Sequence, residues 1–193
     1  MTGVKSREVM MALRDLLRTV LYSDSDIPLV IKRDTSLKSA LQFLKFKAGQ
    51  RVKLPYSYAL TLIREGAAEV DSEQLPAIST VKKCTWAEEK SDELQPLEED
   101  FYLKLALYVR DLKDKARRGD GTAEENYRKI RIAATDLIRL RTLKIAQLAL
   151  RNPAPLREKM KNMTREEQIF YVSLCSQIAT WMNDLSEMIF GEK

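Results

Sequence analysis

The segment that follows Thr164 constrains the fold of this chain more than any other stretch. Tyr171, Cys175, Ile178, Met182, Leu185 and Ile189 recur at steps of 4, 3, 4, 3 and 4, which lines them along one face of an α-helix. Phe170, Leu174, Trp181 and Met188 load an adjoining face, so the apolar sector is wider than one neighbouring helix covers. A helix of this kind demands several packing partners, from its own chain or from others. The run "TREE" at residues 164 to 167 opens it as a capping box, in which Thr164 and Glu167 each satisfy a backbone N–H that a first turn leaves unpaired. The helix is expected to run to about Phe190.

Two more long helices precede it. Leu97, Phe101, Leu105, Tyr108 and Leu112 mark one face of the first, which "RRGDG" stops. The second starts at "TAEE", with Thr122 as N-cap and Glu125 completing a box, and ends at Asn152-Pro153. Its Ile130, Leu137 and Leu148 share a direction, while Ile132, Leu140, Leu143 and Leu150 point elsewhere, so it is expected to be an inner helix covered nearly all round. Arg141 and Lys144 straddle its apolar direction. An unpaired buried charge is very costly, so Arg141 is expected to form a buried ion pair, with Asp100 or its neighbour Glu99 at the start of the preceding helix.

The first part of the chain has a different rhythm. Val9, Leu13, Leu16 and Val20 suggest an amphipathic helix over residues 4 to 21. The β-branched run "IPLVIKRD", then "ALQFLKF", then "RVKL" and "AAEV" read as strands of a small sheet, with a turn at Gly49-Gln50. Between the last two lies one helix, begun at Pro55, with Tyr56, Leu60 and Ile63 on a shared face and Gly66 as its left-handed stop. The expected fold is mainly α with a small α+β domain. An N-terminal, β-rich unit over residues 1–75 leads through an acidic linker over 76–95, with one short helix around "TVKKCTWAEEK", to a helical bundle over 96–193.

Composition bears on what such a fold can do. The 193 residues, 45% hydrophobic and 32% charged, suffice for a core without disulfides or a structural metal. Cys84 and Cys175 match no metal-ligand or redox spacing, and paired acids such as Glu88-Glu89 read as an exposed acidic segment. Histidine is absent, and so are the glycine-rich phosphate loops and the nucleophile elbow. No catalytic site, cofactor or metal is expected. The N-terminus is unlike a signal peptide and no apolar run is long enough for a membrane span, so an intracellular protein with no membrane partner is expected.

Charge is segregated. Residues 126 to 151 hold seven Lys or Arg against the single acid Asp136, while residues 86 to 100 hold seven acids against one lysine. Within a net charge of +5, Arg128, Lys129, Arg131 and Arg139 remain free for a surface patch, and a nucleic-acid-binding protein acting through them stands as an alternative reading.

Three pieces in order, "KLPYSYALTLIREG", "LQPLEEDFYLKLALYVRDL", and "LIRLRTLKIAQLAL" followed by "MTREEQIFYVSLCSQI", carry a resemblance to subunits of the GINS complex of archaeal and eukaryotic DNA replication. The matching positions are Leu54, Pro55 and Gly66; Asp100, Phe101 and Tyr102; Arg141, Lys144 and Ile145; Thr164, Glu166 and Glu167. The small domain comes first, which is similar to the archaeal class related to the second and third Psf subunits, although "DFY" and "RLRTLKIAQLAL" look more like the class with the helical domain first.

The resemblance implies a non-enzymatic scaffold subunit of a heterotetramer. Its implied partners are a sister GINS subunit, the MCM helicase and a RecJ-like, Cdc-type protein, with primase or polymerase as further contacts, at replication forks in the cytoplasm or, in a eukaryote, the nucleus. On this reading the oligomer interface is Phe101, Leu105, Tyr108, Tyr171, Leu174, Ile178, Trp181, Met182 and Leu185, and partners dock on Arg51, Lys53, Arg64 and Glu65 of the small domain.

Overall fold

The structure is a computed structural model that describes residues 20–38 and 43–191. Apart from its last two residues, the expected N-terminal helix lies outside these, as do residues 40–42 of the expected second strand. The chain divides into two compact units between Leu75 and Pro76.

The N-terminal unit is built on β1 (Asp26–Ile31), which pairs antiparallel with β4 (Arg51–Pro55) on one side and β5 (Ala68–Val70) on the other. A separate two-stranded hairpin, β2 (Thr35–Lys38) with β3 (Phe43–Phe46), leaves and re-enters between β1 and β4. Helix α1 (Tyr56–Arg64) follows β4 directly, with Pro55 as its N-cap rather than its first helical residue. Its buried face is Tyr56, Ala59 and Leu62, which meet the unit's core with Ile27, Leu29 and Ile31; the expected Leu60 and Ile63 are only half-buried.

At its end, Gly66 takes φ +66°, donates to the Ile63 carbonyl at 3.1 Å, and lets Ala67 donate to Leu62 at 2.9 Å. This reversal needs a left-handed residue and closes two orphan carbonyls. It sends the chain straight into β5.

The helical unit holds α2 (Ile78–Lys90), α3 (Phe101–Arg117), α4 (Gly121–Arg151), the single turn α5 (Arg157–Met160) and α6 (Arg165–Phe190). The short helix expected around residues 80–90 is present as the 13-residue α2, but it belongs to the bundle rather than to a linker, and its Val81 is fully buried in the core of this unit. Helix α4 begins two residues before the expected box: Asp120 is its N-cap, accepting from the Ala123 N–H at 3.0 Å, and Thr122 lies within the first turn. The box at Thr164 and Glu167 is present on α6, which ends at Gly191 in the left-handed conformation.

At 31 residues α4 is roughly 46 Å long, and α2, α3 and α6 all pack on it. Its buried positions run Ala123, Ile130, Ala133, Leu137, Arg141, Ile145 and Ala149. The first four belong to a cluster with Val81, Phe101, Leu105 and Leu112; the last two belong to another with Leu94, Met163, Tyr171 and Cys175. Helix α4 is not covered all round, since Ile132, Leu143 and Leu150 are well exposed.

Candidate functional site: a buried ion network and an uncovered helix face

Arg141 stands between those two apolar clusters and has no accessible surface, so every one of its five N–H donors must find an acceptor within the protein. Each does. Nε and one terminal nitrogen grip Glu167 in a two-point contact, both at 2.7 Å. The same terminal nitrogen also donates to the Asn162 carbonyl at 2.7 Å, and the other donates to Glu88 and to the Gln95 carbonyl.

Lys144, one turn on, donates to the second Glu88 oxygen at 2.6 Å and to the carbonyls of Glu88 and Glu93. The Tyr102 hydroxyl donates to Glu167 at 2.7 Å, and the Thr164 N–H donates to the same carboxylate at 3.0 Å.

Two cations thus face two carboxylates, and the cluster is neutral as a whole. Burial works against the charge on Arg141, but the Glu167 and Glu88 carboxylates outweigh it and hold the guanidinium above its ordinary pKa. Burial and the adjacent Glu167 carboxylate also push the Tyr102 phenol well up, so it stays a hydrogen-bond donor.

Asp100, the expected partner of Arg141, instead pairs with Lys104 at 3.1 Å, four residues along α3. The partners are Glu88, which was read as part of an exposed acidic segment, and Glu167, read only as a capping residue. The network joins α2, α3, α4, α6 and the loops between them at one point. With all donors occupied and no open face on the arginine, it holds helices together and offers nothing to a substrate. Among the described residues no cluster of His, Cys, Asp or Glu could hold a metal ion, and no helix is long and apolar enough to cross a membrane.

The nine residues expected at an oligomer interface separate into three groups. Phe101, Leu105 and Tyr171 are buried in the chain's own core and cannot present a surface. Tyr108, Leu174 and Ile178 are half-buried against that core. Trp181 and Met182 are exposed and Leu185 partly so, on the distal half of α6.

The reason lies in the geometry of α6: Tyr171 and Cys175 turn one face into the bundle, and the same face continues past it as Met182, Leu185 and Ile189 with no described residue burying it. Trp181, at 63% exposure, Met188 and Phe190 stand beside this stripe. Bare apolar surface of this extent marks an interaction site.

The basic residues of α4 are less free than their number suggests. Arg128 and Lys129 are each paired with an acid one turn earlier, Glu124 and Glu125, while Arg131 and Arg139 are exposed. In the N-terminal unit Arg51 bonds Glu73 at 2.7 Å and lies 3.6 Å from the buried Asp71, and the Glu65 carbonyl accepts from Arg33. Lys53 and Arg64 are exposed.

The site thus consists of an internal brace and an uncovered helix end. A search of curated proteins finds no match. A family model described as "Sld5: GINS complex protein helical bundle domain" matches residues 75–186, which covers the whole of α2 to α5 and most of α6.

Proposed function

The chain belongs to the GINS family, whose members are non-catalytic subunits of a DNA replication complex, and from that premise we propose that it is a scaffold that joins sister subunits through the distal half of α6. The observation that carries this reading is the apolar stripe of α6, core in its first half and bare in its second. Methionine and aromatic side chains make up most of the bare half's apolar residues, and such residues are enriched at protein interfaces, with Trp among those that carry most binding energy.

In this reading the assembly is a heterotetramer of the archaeal kind, and this chain is of the class related to the second and third Psf subunits, supported by the order of a small strand-rich unit before the helical one. The N-terminal unit is the docking piece. Its exposed Lys53 and Arg64, with Arg51 and Glu65 beside them, face the replicative helicase partners: the MCM helicase, a RecJ-like or Cdc-type protein, and primase or polymerase at the fork. Of the four α4 cations read as a surface patch, Arg131 and Arg139 are the ones still open to DNA.

Solution mass of the chain co-expressed with a sister subunit tests the interface. Wild-type protein is expected to co-purify as a multimer. Met182→Glu with Ile189→Glu places charges in the stripe without touching the core, and is expected to yield a folded chain that no longer associates. A stable monomer that ignores every GINS subunit, or a double variant that assembles as well as wild type, would sink the proposal.

A further inference from the structure

The β2–β3 hairpin has two faces of opposite character. Its register sets Leu37 opposite Leu44 and Thr35 opposite Phe46, and Leu37 and Phe46 are buried, so this is the inner face. The alternate positions point outward: Lys38 opposite Phe43, and Ser36 opposite Lys45. Phe43 is 60% exposed and sits next to Lys38 across the strands and next to Lys45 along its own strand. Cross-strand neighbours have their Cβ atoms about 5 Å apart. One bare aromatic ring is therefore flanked on two sides by ammonium groups.

Along the hairpin the charge is one-signed: from Thr35 to Ala48 the sequence has three cations, Lys38, Lys45 and Lys47, and no acid, and Asp34 just before it accepts from the Ala48 N–H at 2.8 Å. Lys38, Lys45 and Lys47 make no ion pair with any described residue, in contrast to Arg128 and Lys129 of α4, whose charges are met by their own helix.

We infer that this outward face binds single-stranded nucleic acid, with one base stacked on Phe43 and the adjoining phosphates on Lys38 and Lys45. Bases stack on exposed aromatic rings while lysines meet the backbone, which is how sequence-tolerant single-strand binders work. A duplex keeps its base faces inside the helix and has none to offer the ring. An acidic peptide complements the lysines but gives no flat partner to Phe43, and an apolar protein surface would have to strip water from both ammonium groups.

Fluorescence anisotropy of a labelled oligothymidine with the full chain, over a series of salt concentrations, tests the inference. Phe43→Ala is expected to weaken binding at least about five-fold and leave the salt slope unchanged. Lys38→Ala with Lys45→Ala is expected to flatten the log-log salt slope by about 1.4, or about 0.7 per phosphate contact. All three side chains are exposed, and circular dichroism should show the fold intact.

Four results would overturn it: no binding at low salt, a duplex bound as tightly as the single strand, a Phe43→Ala variant that binds normally while polyglutamate competes, or binding lost only on Arg131→Glu with Arg139→Glu.

Discussion

Arg141 occupies a position in α4 where an aliphatic side chain would continue the stripe, since Leu137 one turn before it and Ile145 one turn after are both fully buried. Its five donors are all bonded, so taking it away leaves Glu88 and Glu167 in the interior with Lys144 as the remaining cation. Arg141→Ala is therefore expected to cost about 3–5 kcal/mol in chemical denaturation, the range for breaking a buried pair. Glu167→Gln should fall near that range, and Asp100→Asn should cost only about 0.5 kcal/mol, as an i,i+4 pair does. The reverse order, Asp100 mattering more than Glu167, would show the pairing to be wrong.

The burial of Arg141 was legible in the sequence because its neighbours are apolar; its partners were less so. The signal for them existed. Val81, Cys84 and Glu88 are spaced 3 and 4, and Glu167, Tyr171 and Cys175 are spaced 4 and 4, so both acids continue apolar stripes. The acidic run around Glu88 and the capping role of Glu167 offered competing explanations for the same residues.

At the scale of elements, long periodic helices and the α1 stop at Gly66 could be read directly, because 3.6-residue periodicity and a left-handed glycine leave strong local marks. Helix α2 was legible as a short helix around residues 80–90, but the prolines on either side and its weakly amphipathic surface hid its place in the bundle core; β2 was obscured by its four residues, "TSLK", too few to show alternation.

Tertiary ties were invisible in the sequence, and Tyr102 is one: its hydroxyl links α3 to Glu167 on α6. Tyr102→Phe is expected to cost about 1.5–3 kcal/mol at neutral pH, as for a hydrogen bond to a charged group. The folded-state pKa of this phenol lies above its ordinary value of 10.0, so its contribution is complete below pH 10 and is lost as pH rises beyond it. Urea unfolding at pH 8 and pH 11 should then show the gap between wild type and Tyr102→Phe narrowing by about 1 kcal/mol. Parallel profiles for the two proteins would show that the phenol is not held in this way.

For the whole molecule, the change from alternating strands to helical periodicity near residue 75 was the clearest message of the sequence, and the width of the α6 apolar sector was the next. What spacing could not tell is where along α6 the chain's own partners run out. Among the described residues that point falls after Ile178, and it gives the protein a specific dynamic signature. A helix end without tertiary contacts frays at little free-energy cost, whereas segments packed in a core exchange their amides only through larger openings.

In the chain alone, hydrogen exchange should be fast over residues 180–190 and slow at Tyr171 and Cys175, which are buried. Docking of a sister subunit on Trp181, Met182 and Ile189 would then slow exchange in the distal half of α6 and leave the proximal half unchanged. Equal protection of both halves in the isolated chain, or an unprotected distal half in the assembled complex, would separate this helix end from the subunit interface and move the search for that interface to Ile132, Leu143 and Leu150 on α4.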